Sequence, residues 1–212
     1  MKERGVIGAV LAGGKSRRLG RDKASVIFEG TDLLKRTVTL LQPVCDQTWV
    51  VGRDPARHEV NTKWLLDDIA DQGPMGGIVT VLRRVKAPCL VLTCDLPLLN
   101  NEVIARLLRG WGRRREDTLM TTFLHPETGY IEPLVAVYEP EALPLLELAL
   151  ERGIRKLSMA LPERVRHHIP CPEGMARVFF NINYPADLLL LQELEAMRRS
   201  MKGPETEGLR PC

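Results

Sequence analysis

The stretch VIGAVLAGGKSRRLGRDKA, residues 6–24, joins a short apolar run to a loop rich in glycine and basic side chains. Residues 6–11 read as a strand buried on both faces, the pattern of a parallel sheet covered by helices. Gly14-Lys15-Ser16 then looks like the end of a P-loop, but the spacing excludes one. A P-loop needs its first glycine at position 9, which is Ala9, and Gly8 stands one residue too early. Its interior would be Val10-Leu11-Ala12, too apolar to wrap a polyanion. The dinucleotide fingerprint G-x-G-x-x-G is absent as well. What remains is a loop holding Gly13, Gly14 and Gly20 with Lys15, Arg17, Arg18, Arg21 and Lys23, directly after a buried strand.

Outward from this loop, strand-like and helix-like segments alternate without an internal repeat. ASVIFEG reads as a short strand leading into a helix over 32–42, TWVVG (48–52) as a second buried strand, and KWLLDD (63–68) as a third that ends in Asp67-Asp68. GPMGGIVTVLRRVK opens on a turn and continues as a helix with Ile78, Val81, Leu82 and Val85 on one face. CLVLTCD (89–95) is the clearest strand and runs into Asp95-Leu96-Pro97. A helix over 101–111, strands at TLMTTF and PLVAVY, and a helix in EPEALPLLELALE follow. In NINYPADLLLL a helix starts at Asn183 or Tyr184, with Pro185 in the first turn and Asp187 at the positive end of the dipole. The expected fold is α/β: a single Rossmann-like domain over 1–201 with a mostly parallel central sheet flanked by helices, and a disordered tail over 202–212. In such sheets ligands bind at the carboxyl ends of the strands, which puts the glycine loop, Asp67/Asp68 and Asp95 along one edge.

Composition narrows the function. A chain of 212 residues forms a core without disulfide or metal staples, and a net charge of +3 is too mild for nucleic acid. Five cysteines without a C-x-x-C, no run of 18 apolar residues and no leader point to reduced thiols, no membrane and a cytoplasmic location. Arg113-Arg114-Arg115 reads as a solvated helix end, and His167-His168 as surface rather than a metal site. Cys89 and Cys94 lie five apart on a strand and face opposite sides, so they share no metal.

The edge carries its own chemistry. Glycines let successive N–H groups converge on an anion, and Lys15, Arg17, Arg18 and Lys23 neutralise phosphate charge. A strand-end aspartate such as Asp95 is a hard oxygen ligand suited to Mg²⁺, which takes one or two carboxylates and fills its shell with phosphate oxygens and water. Basic loop and carboxylate together suggest a Mg–nucleoside triphosphate. Helix capping is the plainer role for Asp95 taken alone.

LAGGKSRRLGRDKA also resembles the signature Leu-Ala-Gly-Gly-x-Ser-x-Arg-Met-Gly-x-Asp-Lys of the molybdenum cofactor guanylyltransferases, with Leu19 in place of methionine. DDIADQGPMGGI, CDLPLL and NINYPADL are similar to further blocks of that family, in family order. The resemblance implies a nucleotidyltransferase that joins GMP from GTP to molybdopterin, with Mg²⁺ as cofactor and with molybdoenzyme maturation proteins as partners. It implies that Leu11, Ala12, Gly13, Gly14, Lys15 and Ser16 bind the nucleotide, that Arg18, Lys23 and Asp95 are catalytic, and that Asp95 holds the metal. One of Asp67 and Asp68 would sit beside the nucleoside, with a lean to Asp68; Asn181 and Asn183 would lie on the acceptor side, near the second substrate or the metal. The family's nucleoside-contacting asparagine is replaced here by Gly52-Arg53, and Glu132-Pro133 falls where relatives place a substrate-side turn. Competing readings are a cytidylyltransferase on the same cofactor, a sugar-phosphate nucleotidyltransferase, and a non-catalytic nucleotide-binding assembly factor. Ala12-Gly13-Gly14 favours GTP, since the cytidylyl siblings carry Ala-Ala-Gly there.

Overall fold

A computed structural model describes residues 5–14, 16, 18–68 and 71–202. In chain order the elements are β1 (Ile7–Leu11), β2 (Ile27–Phe28), β3 (Thr31–Asp32), α1 (Leu33–Leu41), β4 (Gln47–Val51), β5 (Lys63–Leu65), α2 (Gly73–Val85), β6 (Cys89–Thr93), α3 (Asn101–Trp111), β7 (Met120–Leu124), β8 (Ile131–Tyr138), α4 (Leu143–Glu151), α5 (Leu157–Ala160), β9 (Arg166–Pro170) and α6 (Pro185–Lys202). The expected fold class holds. Seven strands form one sheet in the order β5-β4-β1-β6-β8-β7-β9, and only β8 runs antiparallel to its neighbours.

Alternation along the strands divides the core in two. Val10, Val50, Leu90, Leu92, Val135 and Val137 point to the face covered by α1 and α3. Ala9, Leu11, Val51, Val91 and Ala136 point to the face packed by α2 and α4. Cys89 joins the second face and Cys94 the first, so the pair is separated by the sheet as its spacing predicts. The chain winds from β1 outward to β4 and β5, then returns across β1 to β6. That reversal opens a crevice past the carboxyl ends of β1 and β6.

Several local details differ from expectation. ASVIFEG leads not into a lone strand but into a two-residue hairpin, β2–β3, because Glu29 and Gly30 both take positive φ (50° and 78°), the geometry that matches strand twist. Asp32 then caps α1 by accepting from Lys35 N at 2.8 Å. Glu132 and Pro133 form no turn; they lie in β8 beside a bulge opposite β7, and Glu132 bonds His125 Nε2 at 2.7 Å. Of the three arginines after α3, two are engaged: Arg114 stacks on Trp111 at 4.4 Å and pairs with Glu139 at 2.6 Å, and Arg115 pairs with Asp117 at 2.9 Å and donates to the Arg164 carbonyl at 2.6 Å. His167 and His168 sit half-buried on the edge strand β9. α6 extends to Lys202, and the rest of the expected tail lies outside the described residues.

A third, smaller cluster explains how the loop after β1 is held. Leu19 (5% exposed) leaves the loop to pack with Val26, Phe28, Leu33, Leu98, Ile182, Leu188 and Leu191. The loop is thereby nailed to the hairpin that follows it and to α6, far from it in sequence.

Candidate active site

Two adjoining clefts of about 560 and 390 Å³ open at the ends of β1 and β6 and share Leu11, Gly13, Gly14, Asp71, Pro74, Thr93 and Asp95. The glycine loop forms their floor. Ala12 N–H still donates to Val51 O at 2.9 Å, so the chain leaves the sheet only at Gly13. Gly14 and Ser16 take positive φ (110° and 42°), which turns the backbone back on itself. Gly52, also at positive φ (97°), lies against this turn so closely that a Cβ there would stand 2.5 Å from Gly13 Cα. A side chain at that position is therefore excluded in this backbone.

At the loop's far end Asp22 caps the short turn Lys23–Ser25 by accepting from Ala24 N at 3.2 Å, and Ser16 Oγ accepts from Lys23 N at 3.2 Å. These two bonds aim the Lys23 side chain inward. Its ammonium donates to Asp95 Oδ2 at 3.1 Å and to Asn183 Oδ1 at 2.6 Å. Thr93 Oγ donates to the other Asp95 oxygen at 2.8 Å. The Lys23 and Asp95 side chains are 19% and 14% exposed, buried enough for strong interaction and open enough for a ligand. Asn183 is held in turn by Asp187, whose Oδ2 accepts from Asn183 N and Tyr184 N at 2.7 Å each, the reciprocal half of a helix cap. Ile182 N–H bonds the Asp95 carbonyl at 3.0 Å, locking this segment to the end of β6.

The placements sort the candidates. Leu11, Ala12, Gly13, Gly14, Ser16, Arg18, Lys23, Asp95 and Asn183 all line the larger cleft. Arg18 is exposed at its rim, 6.0 Å from the Tyr184 ring centre. Lys15 and Arg17 lie outside the described residues. Asn181 does not line either cleft: its side-chain oxygen is buried without a hydrogen-bond partner among the described residues. The lean is to Asp68, but of the two it is Asp67 that lines a cleft. Asp67 faces the smaller cleft, packed where Cβ atoms on Gly13 or Gly77 would come within 3.1 and 3.3 Å of its carboxylate. Asp68 turns outward to Arg83 at 3.2 Å. Burial, and behind it the Asp68 charge, push the Asp67 carboxyl above the usual range. Cys94, next to Asp95, is pushed up to about 12 by burial first and the Asp95 charge second, which leaves an inert thiol.

Thr93, Arg53 and Asp71 are cleft residues to which the sequence gives no contact, Asp71 lining both clefts. Thr93 stands two before Asp95 on the same side of β6, a signal that period-two reasoning offers. Arg53 bridges Ala12 O and Asp22, and nothing local announces it.

What the site can do follows from its parts. Backbone donors, Lys23 and Arg18 suit phosphate oxygens, and the Asp95–Asn183 oxygens already hold a cation, the Lys23 ammonium. No group of three or more His, Cys, Asp or Glu among the described residues forms a metal cage. A single carboxylate beside a loop of glycines and basic side chains fits Mg²⁺, whose remaining ligands would be phosphates and water.

Comparison with known proteins agrees with this geometry. The MobA-like NTP transferase domain matches residues 8–165. A probable molybdenum cofactor guanylyltransferase of Chloroflexus aggregans is 33% identical over 87% of this chain and 92% of its own. Another, from Carboxydothermus hydrogenoformans, is 31% identical over 90% of this chain and 96% of its own. The crystal structure of molybdopterin-guanine dinucleotide biosynthesis protein A from Archaeoglobus fulgidus superposes with a TM-score of 0.74 at 29% identity, covering 92% of this chain and all of that one. With a matching fold, a matching loop and the Lys23–Asp95 pair in one cleft, the chain belongs to the MobA-like NTP transferase family and is a nucleotidyltransferase.

Proposed function

We propose that the protein transfers GMP from GTP to the terminal phosphate of molybdopterin, carried as the molybdenum cofactor, and releases pyrophosphate. One observation carries the reading: Lys23, Asp95 and Asn183 meet in hydrogen-bond contact at the mouth of the glycine loop. An acceptor phosphate oxygen bonds to the α-phosphorus as the bond to the β-phosphate bridging oxygen breaks. The electron pair leaves on pyrophosphate. A phosphate is ionised at neutral pH, so no side chain has to take a proton. The chain's contribution is alignment and charge neutralisation: loop N–H groups orient the phosphates, while Lys23 and Arg18 offset charge developing on the leaving group. Asp95, with the Asn183 carboxamide beside it, would hold Mg²⁺, and Mg²⁺ bound there supplies Lewis-acid neutralisation of the triphosphate. Asp67 and the loop backbone would receive the nucleoside in the smaller cleft.

A cytoplasmic location belongs to the same reading. It is supported by Cys45, Cys89, Cys94 and Cys171 being free thiols, and no helix of the described residues is long and apolar enough to cross a membrane. Molybdoenzyme maturation proteins are the partners this product would need.

The test is pyrophosphate release by the purified protein with Mg²⁺ and molybdenum cofactor, comparing GTP, CTP and ATP. GTP alone is expected to support it. Asp95→Asn and Lys23→Ala are each expected to lose roughly 10²–10³ in rate while staying folded. Preference for CTP would move the protein to the cytidylyl reaction. No release with any nucleotide and an active acceptor would leave a sugar phosphate or a binding role.

A further inference from the structure

Arg53 lies just past β4, far in sequence from the loop it touches. Its Nε–H donates to the Ala12 carbonyl at 2.7 Å, and its Nη1 donates to Asp22 Oδ2 at 2.5 Å. Ala12 is the last residue before the glycine loop and Asp22 the first after it. The segment between, residues 13–21, would reach about 30 Å if extended. One planar guanidinium therefore joins both ends of the segment that lines the nucleotide cleft, and Arg53 itself lines that cleft.

The contact reaches further than its two bonds. Asp22 also caps the turn that carries Lys23, through Ala24 N at 3.2 Å, and accepts from Ser25 Oγ at 3.2 Å. Burial alone would push the Asp22 carboxyl up; the Arg53 hydrogen bond and charge, joined by Ala24 and Ser25, outweigh it and hold it below the usual range. The same guanidinium pairs the Asp22 charge one residue from Lys23, which lines the cleft. Gly52 makes the placement possible, because its positive φ and absent side chain let β4 run against Gly13 before Arg53 turns over the loop.

We propose that Arg53 is a positioning residue: a clasp that holds the loop closed and sets the direction of Lys23 through Asp22, rather than a phosphate ligand. The inference rests on the nucleotide-binding reading of the cleft. Nε and Nη1 reach the two acceptors from one rigid plane, a geometry that a lysine ammonium on its flexible stem does not hold. The side chains are 21% and 42% exposed, so the pair adds little to global stability and its effect is local to the loop.

Two measurements on the full chain test this. The first is affinity for a fluorescent GTP analogue. Asp22→Asn keeps an oxygen to cap the turn but removes the charge that Arg53 grips. A clasp predicts that Asp22→Asn, Arg53→Ala and Arg53→Lys each weaken binding about three- to tenfold, with the Asp22/Arg53 double variant no weaker than the singles. If Arg53 instead bound phosphate directly, Asp22→Asn would tighten binding by freeing the guanidinium, and the double variant would bind more weakly than Asp22→Asn. Either result overturns the clasp.

The second is limited trypsin cleavage after Arg18 and Arg21 without nucleotide, beside a melting curve. Cleavage several-fold faster in Arg53→Lys and Asp22→Asn, with the melting midpoint held, is expected. Wild-type cleavage rates in both variants would also overturn the proposal. Accelerated cleavage in a protein whose wild type binds no nucleotide would retain the clasp and sink the functional reading instead.

Discussion

At the scale of single residues, the two adjacent aspartates show how much one peptide unit decides. Asp67 and Asp68 have the same chemistry and follow the same strand, yet one faces the cleft and the other pairs with Arg83. The raised pKa of Asp67 makes a sign-definite prediction. The folded protein binds its proton more readily than the unfolded chain, so the native state is favoured below the usual carboxyl range and loses that advantage as pH rises through the raised pKa. Asp67→Asn is therefore expected to melt higher than wild type near neutral pH, with the difference vanishing at acid pH where both side chains are uncharged. The same variant should bind nucleotide less well, the usual conflict between stability and function at a site. A melting midpoint that drops in Asp67→Asn across pH 4–8 would contradict the burial account.

Among elements, the loop after β1 depends on a residue with no chemical role. Leu19 anchors it in the cluster beneath β2, β3 and α6. Leu19→Ala is expected to cost about 2–5 kcal/mol in denaturant unfolding, because a buried leucine is lost and a void remains. Leu19→Met, the residue the family uses, conserves volume and should cost under about 1.5 kcal/mol. Equal stability of Leu19→Ala and wild type would mean that the loop is not pinned there. The hairpin ahead of α1 belongs to the same scale. Its first strand, β2, lies within the strand that ASVIFEG predicts, whereas its partner β3 carries no periodicity in two residues and is marked only by the Glu29-Gly30 turn.

For the molecule as a whole, the site is completed by a segment 160 residues distant from Lys23. The family match ends at residue 165, while Asn183, Ile182 and α6 lie beyond it. Asn181 and Asn183 look equivalent in NINYP, and three dimensions separate them. Asn183→Ala removes an acceptor from the Lys23 ammonium and is expected to lower pyrophosphate release about 10²-fold with a melting curve like wild type. Asn181→Ala touches neither cleft and should leave turnover within a few-fold. The opposite ranking of the two variants would show that the acceptor side is built differently.

Fold class, the loop and the aspartate that faces it are legible in the amino-acid sequence alone. Those features are local: apolar runs such as CLVLT report burial on both sides of a sheet, glycines at 13 and 14 report backbone freedom, and a carboxylate directly after a strand is carried to its edge by the strand itself. The amino-acid sequence did not determine which of Asp67 and Asp68 turns inward, which asparagine meets Lys23, or that Arg53 closes the loop. Each of these depends on where a neighbour from another part of the chain stands: Arg83 for Asp68, Lys23 for Asn183, Ala12 and Asp22 for Arg53. Side-chain direction past the end of a strand is set by such partners rather than by strand period, so only the packed tertiary structure decides it.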